Sequence, residues 1–447
     1  MTRWVLVVAC LVACSKSDPK PPPPAPAPVP APAPAESAAA RLLNEWFKAF
    51  NAEDFKAVHA WGVAHMPGKP EFGEGFRAMT GGFVIKRIKD LSPTSVEAIV
   101  QGQKFDHFAR AQLDLDPTDP DHIVVFQIRR IRPPDELLTP EQRKARTIDA
   151  AKRAAVVDKI AKALDKTYVK ADKAKSMAAA IRAHLAKGDY DKIPDGEDFA
   201  QRLTDDLHAD TRDLHMRVQF GPHPKQEPPP PPEAEQLEQL RKMNFGFGKI
   251  ERLPGNIAHV VIDVFPPAAF EAAHQGIGDL MSQAADADAL ILDLRDNGGG
   301  DSDTVAFIAS YMFDAKRVHI SDIYERETSK TTHTWTFAKL PGKRFGGKKP
   351  VFVLTSKGTF SGGEDLAYGL QTTKRATVIG ETTAGGAHPV KLVSLDDQFA
   401  ITMPYAESIS PITHGNWEGT GVVPDVATTA DAALDEALKR AAAATKH

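Results

Sequence analysis

Apolar residues recur along this chain with two different periods. Near the N-terminus, AARLLNEWFKAFNAEDFKAVHAW places Leu42, Leu43, Trp46, Phe47, Phe50 and Phe55 at helical spacing and predicts two short helices. The segments FVIKRIKDL, SVEAIVQG, HFARAQLDLD and HIVVFQIRRI then alternate apolar with polar positions and predict strands of an antiparallel sheet. Between 140 and 210 the i, i+3, i+4 spacing returns in TPEQRKARTIDAAKRAAVVDKIAKALDKTYV and KAKSMAAAIRAHLAKGDY. Gly188 ends the second of these helices, and GEDFAQRLTDDLHADT supplies a third, so a small helical bundle is expected. RDLHMRVQFGPHP turns extended. From about 243 onward, NIAHVVIDVF, ALILDLR, KPVFVLTS, ATVIGE and the stretch around KLVSL read as strands. They alternate with the helical patterns FEAAHQGIGDLMSQAA, DTVAFIASYMF and GEDLAYGLQTT, which predicts a layered α/β core. Chemistry in such folds gathers at the C-terminal ends of the strands.

The start of the chain follows neither period. MTRWVLVVACLVAC carries a positive charge at Arg3 and an apolar run too short for a bilayer, which needs about 20 residues, so it reads as a secretory signal. Leu11-Val12-Ala13-Cys14 resembles a bacterial lipobox, which implies lipidation of Cys14, and Ser15 after it resembles lipoproteins sorted to an outer membrane. PPPPAPAPVPAPAPAE is a polyproline II spacer, and EPPPPPPEAEQ a second one. The expected plan is a signal peptide at 1–13, a Pro/Ala-rich linker at 14–36, an α+β domain at 37–135 and a helical bundle at 140–222. A Pro-rich linker at 223–242 and the core at 243–435 complete it. The chain would sit in a bacterial cell envelope, lipid-anchored, on the periplasmic face of the outer membrane.

Composition narrows the chemistry. The 447 residues are 42% hydrophobic and 26% charged, as in a soluble globular protein, and the net charge of -4 gives no reason to expect nucleic acid. Cys10 and Cys14 are the only cysteines, so the later domains hold no disulfide and no cysteine nucleophile. Two glycine-rich turns follow apolar strands, ALILDLRDNGGGD and TSKGTFSGGEDLAYGL. Gly298, Gly299 and Gly300 leave backbone N–H groups open to a phosphate or an oxyanion, but no GxGxxG follows the strand, which argues against a dinucleotide. In the second turn, Ser361 begins a helix. It reads either as a nucleophile or as a cap, with Glu364 completing a capping box. His319, His333 and His414 are scattered and no HExxH is present, so no metal and no cofactor is expected. His59, His107 and His122 read as surface or packing residues.

The two turns carry a family resemblance. DLRDNGGG is similar to the arginine-x-asparagine-x-glycine-glycine signature of the tail-specific (C-terminal processing) serine peptidases. KGTFSGGEDLAYGLQTTKRATVIGETTAGG resembles that family's nucleophile region, and NWEGTGVVPDV, 416–426, its closing segment. The motifs occur in the family's order and cover most of 243–430. The resemblance implies a layered ClpP/crotonase-like core with Ser361 as nucleophile and the backbone N–H groups of Gly299 and Gly362 as oxyanion hole. The first domain resembles the cone-shaped α+β fold of the nuclear transport factor-like superfamily.

One departure decides the rest. The best-known members place a lysine base five residues after the glutamate of Gly-Glu-x-Thr. Counting from Glu381 gives Gly386, and no lysine precedes Lys391. A serine without a base is a poor nucleophile. A second branch, resembling tricorn core proteases, draws a histidine from an upstream helical domain and a glutamate from near the C-terminus. RDLHMRV and NWEGTGV then give His215 and Glu418, and His388 in GGAHPV is the alternative base. On the residues alone, His215 reads as a packing histidine, Glu418 as a structural acid, Asn297 as a turn residue and Arg295 as a tie for the glycine turn. The bundle placed directly before the core looks most like bacterial relatives of interphotoreceptor retinoid-binding protein, whose fold carries lipids. The expectation is a secreted, lipid-anchored serine endopeptidase acting on a protein or peptide. It would touch the membrane through its N-terminal lipid only and bind no nucleic acid. The competing reading is a non-catalytic carrier of hydrophobic ligands, or a peptide-binding protein, on the same fold; the oligomeric state is open.

Overall fold

The computed structural model describes residues 37–66, 76–77, 80–104, 107–221 and 230–445. The signal, Cys14 and the first proline spacer lie outside the described residues. Helices α1 (Ala38–Asn51) and α2 (Phe55–His65) are each capped by a side chain, Ser37 and Asp54. They bury Trp46, Phe47 and Phe50 with Val96, Ala98 and Leu113 of an antiparallel meander. Its strands β1 (Phe83–Ser92), β2 (Ser95–Gly102), β3 (Phe108–Asp116) and β4 (Asp119–Ile131) lie side by side in chain order.

Helix α3 (Pro140–Arg146), opened by a Thr139–Gln142 capping box, leads into α4 (Ala150–Thr167), α5 (Ala171–Lys187) and α6 (Gly196–Thr211). Gly188 closes α5 in the left-handed conformation, as the pattern predicts. The segment expected as a linker over 223–242 is helical in its second half: α7 spans Glu233–Lys242 and buries Leu240. Pro232 and the acidic pair Glu233 and Glu235 suit a helix N-terminus, which outweighs the proline content upstream.

The core is a six-stranded sheet in the order β16-β12-β11-β8-β7-β6. Strands β7 (Ile257–Ile262), β8 (Ala289–Asp293), β11 (Val351–Thr355), β12 (Thr377–Gly380) and β16 (Val426–Ala427) are parallel, and β6 (Phe247–Leu253) is antiparallel. Leu290, Leu292, Val351 and Val353 face α8 (Glu271–Ser282), α9 (Ser302–Ala309) and α10 (Gly362–Thr372). Ile291, Phe352 and Leu354 face Ala433, Ala437 and Ala441 of α11 (Ala433–Ala444). The strands are therefore apolar on both faces, as a parallel sheet between helices requires. The core extends past 435, where it was expected to end, because the alanine stripe of α11 covers that second face.

Two small antiparallel sheets complete the fold. One has the order β10-β9-β15, from β9 (His319–Glu325), β10 (Lys330–Trp335) and β15 (Ala406–Ile409). The other has the order β13-β14-β5, from β13 (Val390–Ser394), β14 (Phe399–Pro404) and β5 (Arg217–Phe220). The second sheet joins the bundle's last strand to the core, and Phe399, Ile401 and Met403 pack among the bundle helices. Among the described residues, no helix is long and apolar enough to cross a membrane.

Candidate active site

Strands β8 and β11 are parallel neighbours, with Val351 opposite Leu290 and Leu354 opposite Asp293. Their C-terminal ends deliver the two glycine-rich turns side by side. Asn297 is fully buried and pins the first turn: its Oδ1 accepts the Gly299 N–H at 2.8 Å, and its Nδ2 donates to the Ile262 carbonyl at 2.9 Å. It is a structural residue of the turn. Arg295 grips both oxygens of Asp293, at 2.9 and 2.6 Å, and donates to the Ala430 carbonyl at 2.8 Å.

The turns touch at Gly299, whose φ is 105°; a Cβ there would lie 2.7 Å from the Ser361 Cβ. The Gly299 amide, expected in the oxyanion hole, is already donated to Asn297. The amides of Gly298, Gly300 and Gly362 have no acceptor among the described residues.

Ser361 precedes α10 with φ 52° and ψ -116°, a conformation that costs free energy for a residue with a side chain. Its N–H donates to Glu364 Oε2 at 2.8 Å. Glu364 is completely buried and also accepts from the Thr383 hydroxyl and from the N–H groups of Gly385 and Gly386, at 2.7 and 2.8 Å. One carboxylate thus fastens the serine turn to the GGAHP loop. The capping-box pattern anticipates the first bond only.

Sheet geometry assembles the remaining groups. Both β5 and β13 pair antiparallel with β14, so they run parallel to one another and start at the same end of the sheet. His215 stands two residues before β5 and His388 two residues before β13, and the two meet around Asp213. Asp213, 1% exposed, accepts from His388 Nδ1 at 2.7 Å, from the Tyr168 hydroxyl at 3.1 Å and from the His215 backbone N–H at 3.2 Å. Glu418 Oε2 accepts the Ala387 N–H at 2.6 Å and lies 3.5 Å from His388 Nδ1. The donor atoms of Asp213, His215 and Glu418 all fall within 4.8 Å of one another. Sequence reasoning found His215, His388 and Glu418 but missed Asp213 and Tyr168. The aspartate two residues before the histidine was the available signal.

The His215 ring packs on Phe360, the residue before the serine, at 4.4 Å between centroids. Its Nδ1 is 3.8 Å from Asp213 Oδ1, and neither ring nitrogen has a hydrogen-bond partner. A Cβ on Gly386 would lie 2.6 Å from His215 Cε1 and 2.3 Å from Phe360 Cε2. Position 386 is where the lysine of lysine-type members would stand. Glycine carries no side chain there, and the His215 and Phe360 rings fill the place one would take.

The cluster sorts its protons by environment. Burial pushes His215 down to about 4, with Asp213 opposing, so its ring is neutral at pH 7. Burial also lowers His388, but the Asp213 hydrogen bond and the Glu418 charge outweigh it and raise the group. Asp213 is raised by burial and then held below the usual carboxylate range by its bond to His388. Glu418 is pushed up to about 7 by burial first and the Asp213 charge second.

The histidines set aside as scattered need correction. His319 Nε2 and His333 Nδ1 each lie 2.6 Å from Asp322 Oδ1, because strand pairing joins positions that are distant in sequence. His414 stands apart in a turn with φ 57°. His59 is exposed on α2, His107 precedes β3 and His122 lies on β4, all within the first domain.

A parallel-stranded core that offers a strained serine beside unbonded amides has the architecture of a serine hydrolase. Residues 256–428 match the family model described as peptidase family S41, and residues 143–246 match that of the N-terminal domain of peptidase S41 in eukaryotic IRBP. The chain belongs to peptidase family S41. It is 29% identical over 186 residues to carboxyl-terminal-processing peptidase 2, chloroplastic, of Arabidopsis thaliana, covering 39% of this chain and 33% of that protein. It is 28% identical over 173 residues to the carboxyl-terminal-processing protease of Synechocystis sp., covering 38% of each. The matched region is therefore little more than a third of the length of these curated relatives. A solved lipoprotein structure from Streptococcus agalactiae aligns with a TM-score of 0.46 at 12% identity, over 69% of this chain and 98% of that one.

Proposed function

We propose that the chain is a serine endopeptidase of the histidine type. The observation that carries the reading is the packing at Gly386: where the missing lysine would begin, a side chain's place is filled by Phe360 and by a buried, neutral imidazole packed on it. Ser361 Oγ attacks the scissile carbonyl and passes its proton to His215. His215 returns that proton to the leaving amine, and an acyl-enzyme remains. Water, deprotonated by His215, then releases the acid and regenerates the serine. Ring nitrogens without protein partners are free to tighten onto the serine and substrate when the complex forms. Gly362 and Gly300 supply the oxyanion amides, since the Gly299 N–H is bonded to Asn297. The carboxyl groups of Glu418 and Asp213 stabilise the imidazolium. His388, with Nδ1 facing both of these acids, is a positioning residue.

Labelling with a fluorophosphonate probe tests the assignment. The parent is expected to label, and Ser361→Ala and His215→Ala to lose labelling. Equal labelling of all three would leave the carrier reading standing, and loss in His388→Ala with retention in His215→Ala would transfer the base to His388. The division into signal peptide, linkers, α+β domain, bundle and core, lipidation of Cys14 and a periplasmic position at the outer membrane complete the proposal, supported by the lipobox and proline spacer. Cys14→Ser should move the protein from the membrane to the soluble fraction.

A further inference from the structure

The hairpin of β9 and β10 carries a second constellation, independent of the peptidase reading. In its ladder His333 stands directly opposite Asp322. His319 lies three residues before Asp322 on the same strand, which in a regular strand would point it to the other face. The register prevents this: Thr334 pairs with Ser321, but Trp335 pairs with His319, so one extra residue of β9, Ile320, is bulged out. The bulge returns His319 to the face of Asp322. Both imidazoles then aim a nitrogen at one carboxylate oxygen, His319 Nε2 and His333 Nδ1 each at 2.6 Å.

The arrangement is also held in place. The His319 ring stacks on Trp335 at 4.5 Å and 13°, and Arg317 lies over the same indole while donating to the Thr336 carbonyl. No lysine or arginine pairs with Asp322 among the described residues, so its charge faces the two histidines alone. Asp322 is 17% exposed and His319 24%, whereas His333 is 60% exposed, which leaves an open side. Two imidazoles and a carboxylate with an open position make the donor set of a tetrahedral zinc site whose fourth ligand is water.

We propose that His319, Asp322 and His333 bind one divalent transition-metal ion, Zn²⁺ being the best fit. Donor atoms around a tetrahedral zinc are about 3.3 Å apart, for bonds of about 2.0–2.1 Å. The present 2.6 Å contacts therefore need to open by less than an ångström, a rotamer adjustment in a strand pair. Each imidazole carries its proton on the other ring nitrogen and gives the freed lone pair to the ion, which takes the place of the two N–H···O contacts and cross-links β10 to β9. Because β9 also pairs with β15, it braces the strand that leads to the Glu418 segment.

The test is titration of the metal-free full chain with Zn²⁺ against a chromophoric chelator, with Co²⁺ absorption reporting geometry. One equivalent should bind to the parent and to His215→Ala, with intense visible bands for tetrahedral Co²⁺. Asp322→Asn and His333→Ala should each weaken binding by more than about a hundredfold, beyond the effect of losing an outer-shell partner. His333 is mostly exposed, so its alanine variant remains folded and carries the test even if Asp322→Asn does not. Absence of binding by the parent, equal affinity in His333→Ala, or loss confined to His215→Ala would each overturn the proposal, the last by placing the ion among Asp213, His215 and Glu418.

Discussion

Replacing Gly386 with alanine adds one carbon at a crowded point of the site. That carbon would stand 2.3 Å from Phe360 Cε2 and 2.6 Å from His215 Cε1, where unstrained carbons approach to about 3.5–4.0 Å. Gly386 does not have positive φ, so the backbone accepts alanine and the whole effect falls on the two rings. Each must retreat by roughly 1 Å. Overpacking of this size costs about 1–3 kcal/mol of stability. Displacing a catalytic group by about 1 Å costs on the order of 100-fold in rate. The assay is the rate of fluorophosphonate labelling of Ser361, with a denaturant melt on the same sample. Gly415→Ala is the control, since a Cβ there meets nothing within 4 Å. Labelling of Gly386→Ala at the parent rate in a normally stable protein would refute the placement of His215 as base.

Glu418→Gln tests the proton distribution. A carboxyl raised to about 7 is neutral at pH 5.5 and ionised above pH 8, so the amide mimics the acid-side form only. The variant should label like the parent at pH 5.5 and fall behind above pH 7.5; a constant ratio across that range would contradict the shift. His215 gives a stability signature of opposite sign. Its folded value of about 4 lies below the usual histidine value of about 6.5, so the unfolded chain binds the extra proton between them. That contribution is complete above 6.5 and is lost as pH falls toward 4. His215→Phe should therefore flatten the acid limb of the denaturation profile, and an unchanged limb would count against it. Asp213→Asn removes the charge that holds His388 and should cost about 3–5 kcal/mol in denaturant unfolding, the range for breaking a buried pair. A loss below about 1 kcal/mol would mean that the cluster is not held as described.

The chain's periodicity was enough to place the three bundle helices, the meander and the central parallel strands, because each is a local pattern with one burial solution. Continuous apolar runs such as PVFVL and ALILD read as strands buried on both faces. The strands of the small sheets were less legible. β9 and β15 have mixed faces and β10 lies almost wholly at the surface, while β14 and β15 take partners, β5 and β9, that lie far away in sequence. Helix α7 was hidden behind its proline run, and α11 by its alanines, which signal helix but not what they cover.

The sequence alone determined the serine turn. Ser361, the two glycine turns and the absence of lysine at 386 follow from residue order, since a strand, a tight turn and a helix are contiguous there. Tertiary structure decided the rest. Asp213, His215, His388 and Glu418 span 206 positions, and they meet only because β5 and β13 enter one sheet from the same end on either side of β14. His319, Asp322 and His333 meet only through a one-residue bulge. Side-chain direction along a strand has period two, so a single inserted residue changes which groups share a face. That insertion is visible in the hydrogen-bond ladder and in no local pattern of the chain.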